Sequence, residues 1–165
     1  MSDYIIQKLG LEHKTDLLNL SDTIVEQIPD KISYMPFKEE TLDKMKDDSV
    51  IYIGAFDNGK LIASSGLYFN EKPAVELPDM KGNFAKIGHC MVLPQYRGNN
   101  LMYKLNEKLV EIAKKNNVQY IAMTVHPDNV ASYTSMEKLG ASKSAEVMIR
   151  DIYPRYIYTI DLTKK

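Results

Sequence analysis

Cysteine is nearly absent from this chain: Cys90 is the only one among 165 residues. An internal disulfide is therefore excluded, and a reducing compartment is the natural expectation. Neither sign of charge is in surplus, with 21 Lys and Arg against 22 Asp and Glu and a formal net charge of −1. No global field draws the chain to nucleic acid or to an anionic membrane, and neither is expected as a partner. No apolar run approaches the roughly 18 residues of a membrane span. Met1-Ser2-Asp3 begins no signal peptide, so a cytoplasmic location is expected. Histidine is scarce as well: His13, His89 and His126 are widely spaced, and no metal site is expected from them. No internal repeat, low-complexity tract or linker divides the sequence. The length fits one domain over 1–165 with an ample core.

What the sequence does contain is a sharp change of pattern at Met91-Val92-Leu93-Pro94-Gln95-Tyr96-Arg97-Gly98-Asn99-Asn100-Leu101-Met102. The apolar run 87–93 stops at Pro94, a short polar turn follows, and Leu101, Leu105, Leu109 and Ile112 then recur at helical spacing. A strand, a tight turn and a helix start in that order make an anion site. The first N–H groups of a helix have no intrahelical partner, and the aligned peptide dipoles place partial positive charge there. Gly98 permits close approach of the backbone because it has no Cβ. The turn is not a Walker loop, since no Gly-Lys-Ser/Thr closes it, and it lacks the two further glycines of a dinucleotide fingerprint. Taken alone, the residues point to a phosphate-like anion or to an ordinary helix-entry loop.

The rest of the chain supplies an order of elements. Residues 4–9 read as a strand and 11–28 as a helix carrying Leu17, Leu18, Leu20, Ile24, Val25 and Ile28, ended by Pro29. A second helix is expected over 38–46 and a strand over 49–56. Asp57-Asn58-Gly59-Lys60 is a hairpin signal, because Asn-Gly supplies two positive-φ positions, and 61–69 returns as a strand. Residues 70–82, with Pro73, Pro78, Glu71, Glu76 and Asp79, form a long loop. Strands follow at 83–93 and 118–125, a helix at 101–115, and a short helix at 130–139 stopped by Gly140. Two last strands, 145–150 and 155–162, flank Pro154.

The turn resembles the pyrophosphate loop of the GNAT superfamily of acyl-CoA-dependent N-acyltransferases, whose pattern is Gln/Arg-x-x-Gly-x-Gly/Ala after a strand ending Val-x-Pro. Val92, Pro94, Gln95 and Gly98 fit. Asn100 stands where Gly or Ala is expected; it tolerates unusual backbone angles, but its side chain would crowd the pyrophosphate. A second stretch, Asn129-Val130-Ala131-Ser132 followed by Met136-Glu137-Lys138-Leu139-Gly140-Ala141, is similar to the superfamily's Asn-x-x-Ala/Ser-x-x-x-Tyr-x-Lys-x-Gly-Phe. Met136 replaces the tyrosine and Ala141 the phenylalanine. Both motifs fall in the right order, and the element order matches nearly the whole superfamily layout.

The resemblance implies an α/β fold with a mixed, mostly antiparallel sheet that contains a splayed parallel pair and is flanked by helices. It implies acetyl-CoA as co-substrate and an N-acetyltransferase that moves acetyl to a primary amine by direct attack in a ternary complex. The pantetheine arm would lie in the splayed gap against backbone groups of Met91 and Val92, one of whose N–H groups would polarise the thioester carbonyl. Gln95, Tyr96, Arg97, Gly98, Asn99, Asn100, Leu101 and Met102 would form the coenzyme loop. Asn129 would bond the pantetheine, and Ser132 and Tyr133 would border the coenzyme. Arg97 and Lys104 are placed to meet phosphates, with a solvated role open for Lys104.

A lysine-like ammonium, with a pKa of about 10.4, must lose a proton before it attacks. His89, on the central strand just before the thioester position, is the candidate base because its ordinary pKa of about 6.5 suits neutral pH. A structural histidine is the alternative, and a β-bulge there would change which side it faces. Water-relayed removal through Glu26, Glu71 or Glu76 is the fallback. Superfamily members with tyrosine at the Met136 position use it as the acid toward the thiolate. Tyr133, one turn earlier, could take that role or simply pack. Cys90 reads as a small buried hydrophobe. The resemblance places Glu26, Tyr34, Met35 and Phe37 on the acceptor side, facing a small-molecule or protein amine, with a plain surface-loop role as the alternative for each. A CoA-binding sensor with the same fold and little chemistry is the rival reading. A homodimer would use the strand around Tyr153-Pro154-Arg155-Tyr156-Ile157-Tyr158.

Overall fold

The apolar runs read from the sequence become a single seven-stranded sheet in a computed structural model that describes residues 4–27 and 42–163. The strands are β1 (Ile5–Leu9), β2 (Val50–Asp57), β3 (Lys60–Phe69), β4 (Phe84–Val92), β5 (Tyr120–Val125), β6 (Ser142–Ile149) and β7 (Tyr153–Asp161). The described α-helices are α1 (Lys14–Glu26), α2 (Leu101–Lys115) and α3 (Val130–Lys138). Spatial order is β1-β2-β3-β4-β5-β7-β6. Every neighbouring pair is antiparallel except β4 and β5, which α2 connects as a parallel crossover. The mixed α/β architecture is the one expected.

Several expected boundaries shift, each for a local reason. α1 begins at Lys14, after a 3₁₀ turn over Leu11–His13, and Leu17, Leu20, Ser21 and Ile24 form its buried stripe. Ile28, Tyr34, Met35 and Phe37 lie outside the described residues, as do residues 38–41 of the helix expected over 38–46; its end is a 3₁₀ turn, Asp43–Asp47. β7 starts at Tyr153 and so contains Pro154, which pairs with Met148 of β6, whereas pairing with β5 begins only at Tyr156. Proline, which cannot donate, is tolerated where one side of a strand is open. The Asn58-Gly59 hairpin forms as expected, with φ of 49° and 80°.

The core lies between sheet and helices. α2 buries Leu101, Leu105, Leu109, Val110 and Ala113, and packs on β2, β3 and β4, while α1 packs on β3 and β4. Burying a leucine side chain contributes about 1.5–3 kcal/mol, so this stripe fixes where the start of α2 sits relative to the end of β4. Under the loop that follows β3, Leu77 and Met80 pack on a second small cluster of Phe84, Tyr120 and Ala122. Among the described residues no helix is long and apolar enough to cross a membrane.

Candidate active site

The parallel pair is short. β4 and β5 align only from Phe84↔Tyr120 to Ile87↔Met123, and beyond Ile87 the two strands part. On its other side β4 stays paired, with Met91 opposite Ser64 and Val92 opposite Ala63. Backbone groups near the end of β4 therefore face a gap instead of a neighbour, and the gap opens into a cleft of about 1140 Å³. That is somewhat above the ~300–1,000 Å³ usual for small-ligand sites and suits a long ligand.

The turn after β4 forms the mouth. Pro94–Tyr96 make a 3₁₀ turn, Arg97 is extended, and Gly98 has φ of 88°. Asn100 is left-handed, with φ of 62° and ψ of 24°, at the N-terminus of α2, and no side chain caps that helix. Asparagine thus fills a position that most residues adopt only with strain. Nothing lies within 4 Å of where a Cβ on Gly98 would stand, so the backbone there faces open space. Gly98→Ala is expected to cost only the backbone strain, about 1–2 kcal/mol. Thermal unfolding should then show a Tm lower by roughly 2–8 °C.

The loop is tied down from behind. Tyr96 donates its hydroxyl to Asp57 Oδ2 at 2.7 Å and meets the Tyr4 ring edge-on, while Asn99 Nδ2 donates to the Tyr96 carbonyl at 2.9 Å. Across the cleft, Asn129 is the N-cap of α3; its Oδ1 accepts from the Ser132 N–H at 3.2 Å. Ala131, Ser132, Thr134, Ser135 and Lys138 present α3 to the cleft, and Ile24 and Gln27 bring in the end of α1. The Ser135 Oγ is buried there and has no hydrogen-bond partner among the described residues.

Two largely buried polar groupings border the gap, and Cys90 of the first lines the cleft. In the first, Ser65 donates to Asn106 Oδ1 at 2.6 Å and sits 3.1 Å from Cys90 Sγ, which also contacts the Asn106 amide. Burial pushes the Cys90 thiol up despite those bonds, so it stays protonated and is no ready nucleophile. In the second, His89 Nδ1 lies 2.5 Å from the Tyr68 hydroxyl, which lies 2.8 Å from the Tyr52 hydroxyl. His89 sits in a β-bulge with φ of 53°. Burial, and secondarily the nearby Lys86 charge, lower its pKa to about 4. Burial, with Glu71 adding to it, raises Tyr52 to about 12 even though its bond to Tyr68 works the other way.

Of the residues expected to hold a coenzyme, Met91, Val92, Tyr96, Arg97, Gly98, Asn100, Leu101, Met102, Asn129 and Ser132 line one cleft. Gln95, Asn99 and Tyr133 do not. Gln95 is solvent-exposed, Asn99 serves the loop, and Tyr133 stacks on Tyr158 at 5.9 Å and meets Tyr156 at 6.0 Å. The reason is rotation of α3: with 131, 132, 135 and 138 toward the cleft, position 133 turns toward β7. Met136 is buried in the core rather than at the cleft. His89, too, lies just outside the lining, and its lowered pKa departs from the ordinary value expected. Lys104 is exposed away from the cleft, Glu26 is exposed beside it, and Glu76 sits on the surface loop. His126, Asp128, Thr134, Ser135 and Lys138 were not anticipated at the cleft, and neither was the Ser65–Cys90–Asn106 grouping. A readable signal existed for the last: Asn106 interrupts an otherwise apolar helical stripe, and such a residue needs a buried partner. Among the described residues, no three His, Cys, Asp or Glu gather as a metal site requires.

Comparison with known proteins follows the same line. No curated protein matches the chain. Solved structures with this fold include the ribosomal-protein-S18-alanine N-acetyltransferase of Escherichia coli, 17% identical, with a TM-score of 0.72 over 99% of this chain and 96% of that one. YncA of Salmonella typhimurium, solved with its cofactor acetyl-CoA, is 13% identical, with a TM-score of 0.75 over 99% and 96%. Arabidopsis thaliana NAA60, in complex with a bisubstrate analogue, is 13% identical, with a TM-score of 0.76 over 96% and 98%. At such identities the likeness is one of fold. Residues 17–141, well over half of the sequence, match the family described as the Acetyltransferase (GNAT) family. With a parted parallel pair, an uncapped helix start and that match in hand, the chain belongs to the GNAT acetyltransferase family.

Proposed function

We propose that this protein transfers an acetyl group from acetyl-CoA to a primary amine, with both substrates bound at once. The observation that carries this reading is the uncapped start of α2, which lines the same cleft as the end of β4 beyond its separation from β5. Bound acetyl-CoA would supply the activated acetyl thioester. The chain's own contribution begins with the N–H groups around Gly98, Asn100, Leu101 and Met102, which suit a diphosphate through partial positive charge and open space. Arg97 and Lys138 add full positive charge at the cleft. The end of β4 at Met91 and Val92, paired with β3 on one side, has no strand partner on the β5 side and is available there to hold an extended, amide-containing arm in the way a neighbouring strand would.

We assign acceptance of the amine's proton to His89, on the strand that ends at the gap, at Nε2, with Nδ1 engaged by Tyr68. A histidine held to about 4 does not keep a proton at neutral pH, so its part is to pass the proton on. The acceptor is a small-molecule or a protein amine; the similar Escherichia coli protein is named for an alanine of a ribosomal protein. A second reading, a CoA-binding sensor with little transfer, is favoured by Tyr133 and Met136 both lying outside the cleft.

Acetyl-CoA at about 100 times its Kd should add roughly 2.7 kcal/mol of stability. In a thermal melt that is a Tm shift of about 5–10 °C. Free thiol should then appear when the protein, acetyl-CoA and a panel of amines, including peptides with free N-termini, are mixed. An unchanged Tm would overturn coenzyme binding at the cleft. A shifted Tm with no thiol from any amine would leave the sensor.

A further inference from the structure

We propose that Tyr68 and Tyr52 form a proton relay behind His89, leading the proton of the acceptor amine across the sheet toward Glu71 and solvent. This rests on the transferase reading above and assigns to two buried tyrosines a role in it. The three groups belong to three adjacent strands, β4, β3 and β2, and their polar atoms form two consecutive contacts, His89 Nδ1 to Tyr68 Oη at 2.5 Å and Tyr68 Oη to Tyr52 Oη at 2.8 Å. Tyr52 is 1% and Tyr68 4% exposed. Glu71, on the loop that follows β3, is near enough for its charge to act on Tyr52.

Three irregularities of the sheet serve this alignment. β4 inserts an extra residue between Gly88 and Met91 relative to β3, and that bulge brings the His89 ring to Tyr68. His89 holds a positive φ of 53° to do so, which a non-glycine residue adopts only at a cost. Gly66 stands opposite Tyr52, and a Cβ there would come within 2.6 Å of the Tyr52 ring.

The transfer balances. As one N–H proton of the substrate ammonium passes to His89 Nε2, the Nδ1 proton passes to Tyr68 Oη. The hydroxyl proton of Tyr68 passes to Tyr52 Oη, and that of Tyr52 passes by way of water, which takes one proton and gives one, to the Glu71 carboxylate. Each group gives one proton and takes one, only N–H and O–H bonds change, and the amine is left neutral. The imidazole ends as its other tautomer and the hydroxyls turn back to reset. A histidine that stays neutral while buried is well matched to this task, because it never has to hold the charge.

The test is the single-turnover rate of the full chain, measured with acetyl-CoA and an amine accepted by the wild type, in mixtures of light and heavy water. For the wild type the rate should fall along a bowed curve as deuterium rises, reflecting several protons in flight. Tyr68→Phe should lower the rate by about 10–100-fold, within the range of lost acid–base assistance, and leave KM for acetyl-CoA unchanged. Its dependence on deuterium should straighten. Tyr52→Phe should act in the same direction, more weakly, and stands in if Tyr68→Phe does not fold. A linear wild-type curve, or variants that turn over like the wild type, would overturn the relay and leave the transferase reading intact. A wild type that releases no thiol with any amine would overturn both.

Discussion

Acidification from pH 6.5 to pH 4 is expected to remove about 3 kcal/mol of folding stability through His89 alone. An ordinary histidine takes up its proton near 6.5; His89, buried against Tyr68 and close to Lys86, does so only near 4. Between those values the unfolded chain carries a proton at this position that the folded chain does not. Each step toward acid therefore favours unfolding. Above 6.5 neither state is protonated, and the contribution is constant. His89→Asn removes the titrating ring and keeps a residue that accepts positive φ. Melts of both proteins at pH 7 and pH 4 should show the wild type losing roughly 6–12 °C more than the variant. Parallel losses would mean that His89 is not held neutral by the fold.

Leu105→Ala should cost about 2–5 kcal/mol of folding stability. Leu105 is fully buried on α2, one residue before Asn106, which is bonded to Ser65. Its side chain locks the helix whose first turn forms the mouth of the cleft onto the sheet that carries β4. Denaturant unfolding measures the loss directly, and a melt should fall by roughly 4–20 °C. Leu105→Met, which conserves volume, should cost under about 1.5 kcal/mol. Equal losses for the two would show that packing volume is not what Leu105 contributes.

The local features of this fold were legible in the sequence because short-range chemistry sets them. Asn58-Gly59 takes the two positive φ values that a tight hairpin needs, and Leu101, Leu105 and Leu109 form the stripe that α2 buries. The strand, turn and helix start around the cleft mouth could be read from Pro94, Gly98 and the helical period after Asn100. What could not be read depends on partners far along the chain. His89 meets a tyrosine 21 residues away, and only the bulge in β4 decides which face of the sheet it joins. Asn106 reaches a serine at a separation of 41. The family resemblance puts Tyr133 near the coenzyme, and helical spacing puts it on the face of Met136. That spacing fixes which residues share a face and leaves open which face meets the cleft; packing on Tyr156 and Tyr158 decides that.

The shortness of the β4–β5 pairing has a mechanical consequence. Strands β1 to β4 form one leaf and β5, β7 and β6 another, and within the sheet only four rungs, from Phe84↔Tyr120 to Ile87↔Met123, stitch the leaves together. Most folded sheets are weakest at their rims. This one carries a seam through its middle, so the first cooperative opening under heat or denaturant should run along that seam. A molecule lodged in it would act as a clasp.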